Sequence, residues 1–121
     1  MASAANWVPD RQDVIWIDFN PQVGREMKDL HPMLVLSPKA FNDRTSLVIG
    51  LPMTTSESNA TNPFAIRFAG PKNVGSYVLA HQPKSLDWRK RGARVHPWKQ
   101  VPATVFAESC QALNQIIAIG A

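Results

Sequence analysis

The chain has 121 residues, 45% hydrophobic and 18% charged, which is material for one domain and excludes two full ones. A fold of this size buries roughly two-thirds of the surface its extended chain exposes and needs no staple. A lone cysteine, Cys110, can form no internal bridge, which points to a reducing cytoplasm. No apolar run approaches the roughly 20 residues of a bilayer span, and residues 1–6 lack the basic start and apolar core of a signal peptide. A soluble cytoplasmic protein with no membrane partner is expected. The net charge of +4, thirteen Lys and Arg against nine Asp and Glu, makes polyanions natural partners.

In chain order, residues 1–7 read as a flexible segment ahead of a single domain over 8–121. Residues 14–19 are rich in β-formers and closed by Asn20-Pro21, a first strand with Trp16 inside it as a core residue. Residues 22–31 are polar and contain Gly24, which predicts a long exposed loop. Residues 32–37 and 46–53 are near-continuous apolar runs, as in strands buried on both faces, with a short turn around Asn42-Asp43 between them. Residues 54–62 form a second mobile loop, residues 64–68 a fourth strand, and Gly70-Pro71 and Gly75 a turn. Residues 76–82 make a fifth strand that runs into a basic stretch.

That stretch holds Lys84, Arg89, Lys90, Arg91, Arg94 and Lys99, six of the thirteen cations, interleaved with Trp88 and Trp98. The pattern fits a surface that neutralises phosphates and offers flat faces to unstacked bases. The simpler reading is a solvated basic loop with two half-buried tryptophans. Toward the end the period changes to that of a helix, with Phe106, Cys110, Leu113 and Ile117 on one face, Pro102 in its first turn and Gly120 as its stop. The fold class is mainly β (α+β): a small antiparallel sheet curled into a partial barrel, with a C-terminal helix covering it.

Nucleotide-loop and metal motifs are absent. No glycine triplet follows a strand, and the histidines His31, His81 and His96 are far apart in sequence. Nothing in the spacing of Asp13, Asp18, Glu26 and Asp29 demands a magnesium ion, and solvated strand ends explain Asp13 and Asp18 better, so no metal and no cofactor is expected. Cys110, on the apolar helix face, reads as a small buried hydrophobe. What remains is a set of polar residues at strand ends and loops: Arg25, Glu26, Lys28, His31, Thr54, Thr55, His81 and Gln82.

At these residues the sequence resembles the MazF/PemK family of toxins. The matching pieces are Asp13-Val14-Ile15-Trp16-Ile17-Asp18-Phe19 with Asn20-Pro21, Gly24-Arg25-Glu26, Pro32-Met33-Leu34-Val35-Leu36-Ser37, Leu51-Pro52-Met53-Thr54-Thr55, and Ala80-His81-Gln82-Pro83-Lys84-Ser85-Leu86-Asp87. Each piece is weak alone; five in family order and spacing are strong. The resemblance implies a small curled antiparallel SH3-like barrel, CcdB/PemK-like, and the toxin half of a type II toxin-antitoxin pair. It implies a homodimeric, metal-independent endoribonuclease that cuts single-stranded RNA at specific sequences.

In that chemistry a ribose 2′-hydroxyl attacks the adjacent phosphate, giving a cyclic phosphate and a free 5′-hydroxyl. It needs a base, an acid and donors for the charge on the phosphoryl oxygens. The family's central threonine carries over as Thr54. The family's arginine before the proline of the second strand is here His31, so His31 becomes the candidate acid or base and Arg25 or Lys28 the fixed charge. His81 is the candidate second titrating group, and Glu26 orients the loop or a cation. The RNA-binding candidates beside them are Lys28, Thr55, Gln82, Lys84, Ser85, Trp88 and Arg89, although in the family the region of Trp88 and Arg89 also approaches the dimer partner. The further partner that the resemblance implies is a cognate antitoxin with an acidic, disordered tail that occupies the same groove. Two other readings are a weakened RNA-binding homologue, which the loss of the arginine favours, and a CcdB-like inhibitor acting by protein binding. The latter relies on aromatic residues at the C-terminus, and residues 118–121 have no tryptophan.

Overall fold

The computed structural model describes residues 6–118. Residues 1–5 of the expected flexible segment, and the helix stop at Gly120, lie outside them. Among the described residues, besides two short 3-10 turns, seven strands and two α-helices follow one another as β1 (Asp13–Asp18), β2 (Leu30–Val35), α1 (Lys39–Thr45), β3 (Leu47–Thr54), β4 (Ala65–Ala69), β5 (Gly75–Leu79), β6 (Lys84–Asp87), β7 (Arg94–Gln100) and α2 (Ala103–Ile116). Every ladder is antiparallel, and the strand order is β4-β5-β3-β2-β1-β7. The expected curled sheet with a terminal helix is therefore the fold. Among the described residues no helix is long and apolar enough to cross a membrane.

β3 organises the sheet. One edge pairs with β2, while the other pairs first with β6, from Leu47 to Gly50, and then with β5, at Met53 and Thr54. Pro52 falls where the ladder passes from one partner to the next. Gly50 lets β2 come close there, since a Cβ on it would stand 2.3 Å from the Leu34 carbonyl oxygen. The apolar runs of β1 to β3 feed two cores on opposite faces, as strands covered on both sides must. Val14, Leu34, Leu51, Met53, Val78 and Ala80 pack with Val101, Val105 and Leu113 beneath α2. Ile15, Ile17, Phe19, Met33, Val35 and Val48 pack with Leu86 and Trp88 on the other face.

Three expectations change. The turn at Asn42-Asp43 is the helix α1, closed by Ser46 in the left-handed region at φ 64°. Seven residues are too few to display a helical period. α1 is held by Asn42, whose side-chain amide donates to the carbonyls of Pro9 and Ser37. The basic stretch is not a loop, because β6 and β7 lie within it. On α2 the buried stripe is Val105, Ser109 and Leu113, one residue off the expected face for two of its members. Cys110 is half-buried, and burial pushes its thiol up. Ile117 lies past the helix end and is exposed.

Candidate functional site

Two strand ends meet at the rim of the sheet. β2 begins at Leu30 and His31, and β3 ends at Thr54. The observed register, Met33 opposite Pro52, carried two residues outward sets His31 opposite Thr54. Both residues line one hollow of about 370 Å³ together with Arg25, Lys28, Asn59 and Gln82. A second hollow continues it, lined by Arg25, Glu26, His81, Gln82, Pro83 and Lys84. Together they form a furrow along residues 22–29, the expected exposed loop.

His31 Nδ1 lies 2.9 Å from the Lys28 carbonyl oxygen. A carbonyl can only accept, so Nδ1 carries the hydrogen and Nε2 keeps the lone pair when the ring is neutral. Thr54 is almost buried, and its hydroxyl oxygen accepts the Ser56 N–H at 3.2 Å, which leaves the hydroxyl hydrogen free to donate. Arg25 and Lys28 are exposed and make no ion pair among the described residues, so their charge faces solvent.

The loop itself is clasped. Gln82 accepts the Met27 N–H at 2.8 Å, and Lys84 pairs with Glu26 at 3.3 Å. Glu26 also accepts the Val23 N–H. That bond first, and Lys84 second, hold its carboxyl below the usual carboxylate range, so Glu26 is a fixed anion that orients loop and lysine and a poor proton acceptor. Gln82, expected on the RNA, spends its carbonyl oxygen on the same task. His81 is exposed, with its ring tilted on Phe64 at 5.9 Å. It lines the second hollow and His31 the first, with Arg25 and Gln82 common to both. Thr55 is exposed beside Thr54.

Three expected RNA contacts stand apart from this furrow. Ser85 pairs with Ile49 on β6 and lines neither hollow. Trp88 is 6% exposed, with its indole N–H donated to the Asn42 carbonyl and its ring edge-to-face with Trp7. Arg89 covers the Trp88 ring and pairs with Asp43 at 2.8 Å. These two follow the β6 end opposite Leu47, about 23 Å along β3 from Thr54 at the 3.3 Å rise of a strand. Nor is the basic stretch one patch. Arg91 donates to the Asp18 and Asn20 carbonyls at the end of β1, and Lys84 is taken by Glu26.

Sequence reasoning missed the other side of His31 and Thr54. A third hollow, about 290 Å³, is lined by Trp16, Leu30, His31, Pro32, Thr54, Thr55, Ser76, His96 and Trp98. Trp16 is half-exposed here and so is not the core residue expected of it. Its ring lies 4.8 Å from that of His96, which meets Trp98 edge-on at 5.1 Å. The alternation of His96 and Trp98 was a readable sign of one strand face. Their meeting with Trp16 depends on the β1–β7 register.

The rim thus assembles an oriented imidazole, a hydroxyl donor and unpaired cations in an open groove of a half-barrel sheet. That equipment suits binding a phosphodiester and moving a proton. Among the described residues no group of three or more His, Cys, Asp or Glu could hold a metal ion. The fold and rim define a small, basic half-barrel whose open edge suits a phosphodiester chain. Residues 10–117 match the model of the PemK-like, MazF-like toxin family of type II toxin-antitoxin systems, and the chain belongs to that family. It is 39% identical over 89 residues to the endoribonuclease toxin MazF of Escherichia coli K12, a match covering 74% of this chain and 78% of that one. The crystal structure of MazF from Deinococcus radiodurans superposes with a TM-score of 0.84 at 35% identity, covering 94% of this chain and all of the other. A MazE-MazF crystal structure from the same organism superposes at 0.77 and 34% identity, with the same coverage.

Proposed function

We infer that the protein is the toxin of a type II toxin-antitoxin pair and an endoribonuclease that cuts single-stranded RNA, messenger RNA included, in the cytoplasm. Family membership and the endoribonuclease named among its relatives support the activity. The observation that carries the mechanism is the His31–Lys28 hydrogen bond, which turns Nε2 of His31 toward use as base or acid beside the Thr54 hydroxyl.

The scissile phosphate lies across the rim, its charge met by Arg25 and Lys28. The ribose 2′-oxygen gives up its proton, attacks phosphorus, and the 5′-oxygen leaves with a proton. The products are a cyclic phosphate and a 5′-hydroxyl. His31 moves one of these protons, and His81 is the candidate for the other. Thr54 donates to a phosphoryl oxygen as negative charge grows there. No metal takes part. Bases are read by Thr55 and its neighbours.

The acting species is a homodimer. MazE-MazF complexes exist for the Deinococcus toxin, and a cognate antitoxin with an acidic, disordered tail covers the same cationic furrow here.

The test is cleavage of a heteropolymeric RNA in the presence of a chelator, with the product ends mapped. Cyclic phosphate ends, lost when the scissile ribose is replaced by deoxyribose, support the reading. Thr54→Val lowers the rate about 10²-fold, the cost of one charge-stabilising donor, and His31→Gln lowers it by 10²-fold or more. RNA binding without cutting would leave an RNA-binding homologue in its place, the outcome that the missing family arginine favours.

A further inference from the structure

We propose that the hollow between Trp16, His96 and Trp98 is a nucleobase slot, holding one unstacked base from a nucleotide next to the scissile phosphate. The proposal rests on the endoribonuclease reading and deepens it.

Continuity comes first. His31 and Thr54 line both this hollow and the cationic furrow, so a chain whose phosphate lies at the rim has a base within reach of the slot. Size comes second. About 290 Å³ is at the low end for small-molecule sites, enough for one base and too little for a stacked pair.

The walls are matched to a base. Trp16 and Trp98 are both half-exposed and each packs against the His96 ring, and Leu30 and Pro32 complete an apolar lining. Every base has a π-face, so aromatic walls of this kind accept one without a charge. None of the lining residues is Lys, Arg, Asp or Glu. Phosphate charge is handled next door by Arg25 and Lys28, and the slot is left for the uncharged part of the nucleotide.

His96 supplies polarity. It is 7% exposed, and its Nδ1 accepts the Trp98 backbone N–H at 3.1 Å. That bond places the ring hydrogen on Nε2, the remaining donor of a residue that lines the slot. A carbonyl or ring nitrogen on a base edge is its natural acceptor. The same face of the sheet is sealed by α2 at its other end, through Val105 and Leu113. At the Trp16 end it is open.

The experiment uses the full-length protein. After the cut is mapped in a heteropolymeric RNA, decamers spanning it are made with an abasic site at each position in turn. One position is expected to cost roughly tenfold in kcat/KM with the wild type, the scale of one base–aromatic stack. In Trp16→Leu, normal RNA should lose the same factor, and the abasic penalty at that position should vanish. Trp16→Phe, which keeps an aromatic face, should restore it. Should Trp16→Leu fail to fold, wild-type tryptophan fluorescence decides: decamers 2′-O-methylated at the cut should quench it, and the abasic version at that position should not. Penalties that simply multiply at every position, or quenching indifferent to the abasic site, would overturn the slot and leave a protein side chain as the hollow's occupant. If no RNA is cut, a degenerate 2′-O-methyl decamer pool tests the slot alone. Binding weakened tenfold by Trp16→Leu upholds the slot while the nuclease reading falls, and binding unchanged by it sinks both.

Discussion

His96 is a histidine that the fold keeps neutral. Burial lowers its pKa from the ordinary 6.5, and its Nδ1 is already committed to accepting the Trp98 N–H. The sign follows from linkage. Below pH 6.5 the unfolded chain takes up a proton that the folded chain refuses, so stability falls as pH drops from 7 toward 5, and above that window His96 contributes no slope. The urea midpoint should therefore decrease over that range, and less so in His96→Asn; parallel curves for the two proteins would refute this. Glu26 behaves oppositely. Its lowered pKa means that its hold on Val23 and Lys84 is complete above the ordinary 4.5 and is lost as pH falls through the lowered value. The Val23 amide resonance should titrate with a midpoint below 4.5, and a midpoint at or above 4.5 counts against the clasp. At this scale the sequence named Glu26 as orienting the loop or a cation and Gln82 as an RNA contact, but not the partners that either one holds. Both lie far in sequence from their partners, Lys84 and the Met27 amide, and only the folded loop brings each pair together.

Among the elements, α1 owes its existence to one buried side chain. Asn42 has no exposed surface, and its amide satisfies the Pro9 and Ser37 carbonyls while its own backbone carbonyl accepts the Trp88 indole. Asn42→Ala leaves those acceptors buried and unpaired, so a loss of about 2–3 kcal/mol is expected in urea unfolding. β7 is fastened to the far end of the sheet by Trp98, whose ring lies so close to Gly70 that a Cβ there would stand 2.4 Å from it. Gly70→Val should cost about 1–3 kcal/mol by overpacking and shift tryptophan emission to the red as Trp98 is pushed outward. Unchanged emission would mean that the ring does not close this gap. The strands β1 to β3 were legible because their runs are long and apolar. α1, β6 and β7 were not, because a short helix built on a polar side chain and strands rich in Arg and Lys break the patterns by which elements are recognised. Their stability comes from partners that are distant in the chain.

For the whole molecule, the net charge of +4 matters through its distribution. Arg89 and Arg91 support the fold, and Lys84 is neutralised by Glu26, so the charge available to RNA at the rim is chiefly that of Arg25 and Lys28. Binding of an uncleavable single-stranded RNA should weaken with salt, and Arg25→Gln should reduce the slope of log K against log salt by about 0.7, the value for one phosphate contact on a single strand. Arg89→Gln should leave that slope unchanged. An equal effect from both would mean that the basic stretch acts as one surface after all.

By itself the sequence determined the class of fold, the order of its apolar strands, the closing helix, and the family to which the five motifs belong. It also placed His31, Thr54, Arg25 and Lys28 at strand ends and on a loop, which periodicity and turn residues reveal directly. The tertiary structure alone decided which cations face solvent, that Trp88 is interior and Trp16 is open, and that Trp16, His96 and Trp98 share one hollow. Periodicity is a property of neighbouring residues, whereas a hollow is made by the register between strands nearly eighty residues apart, and register is set by packing that no local pattern records.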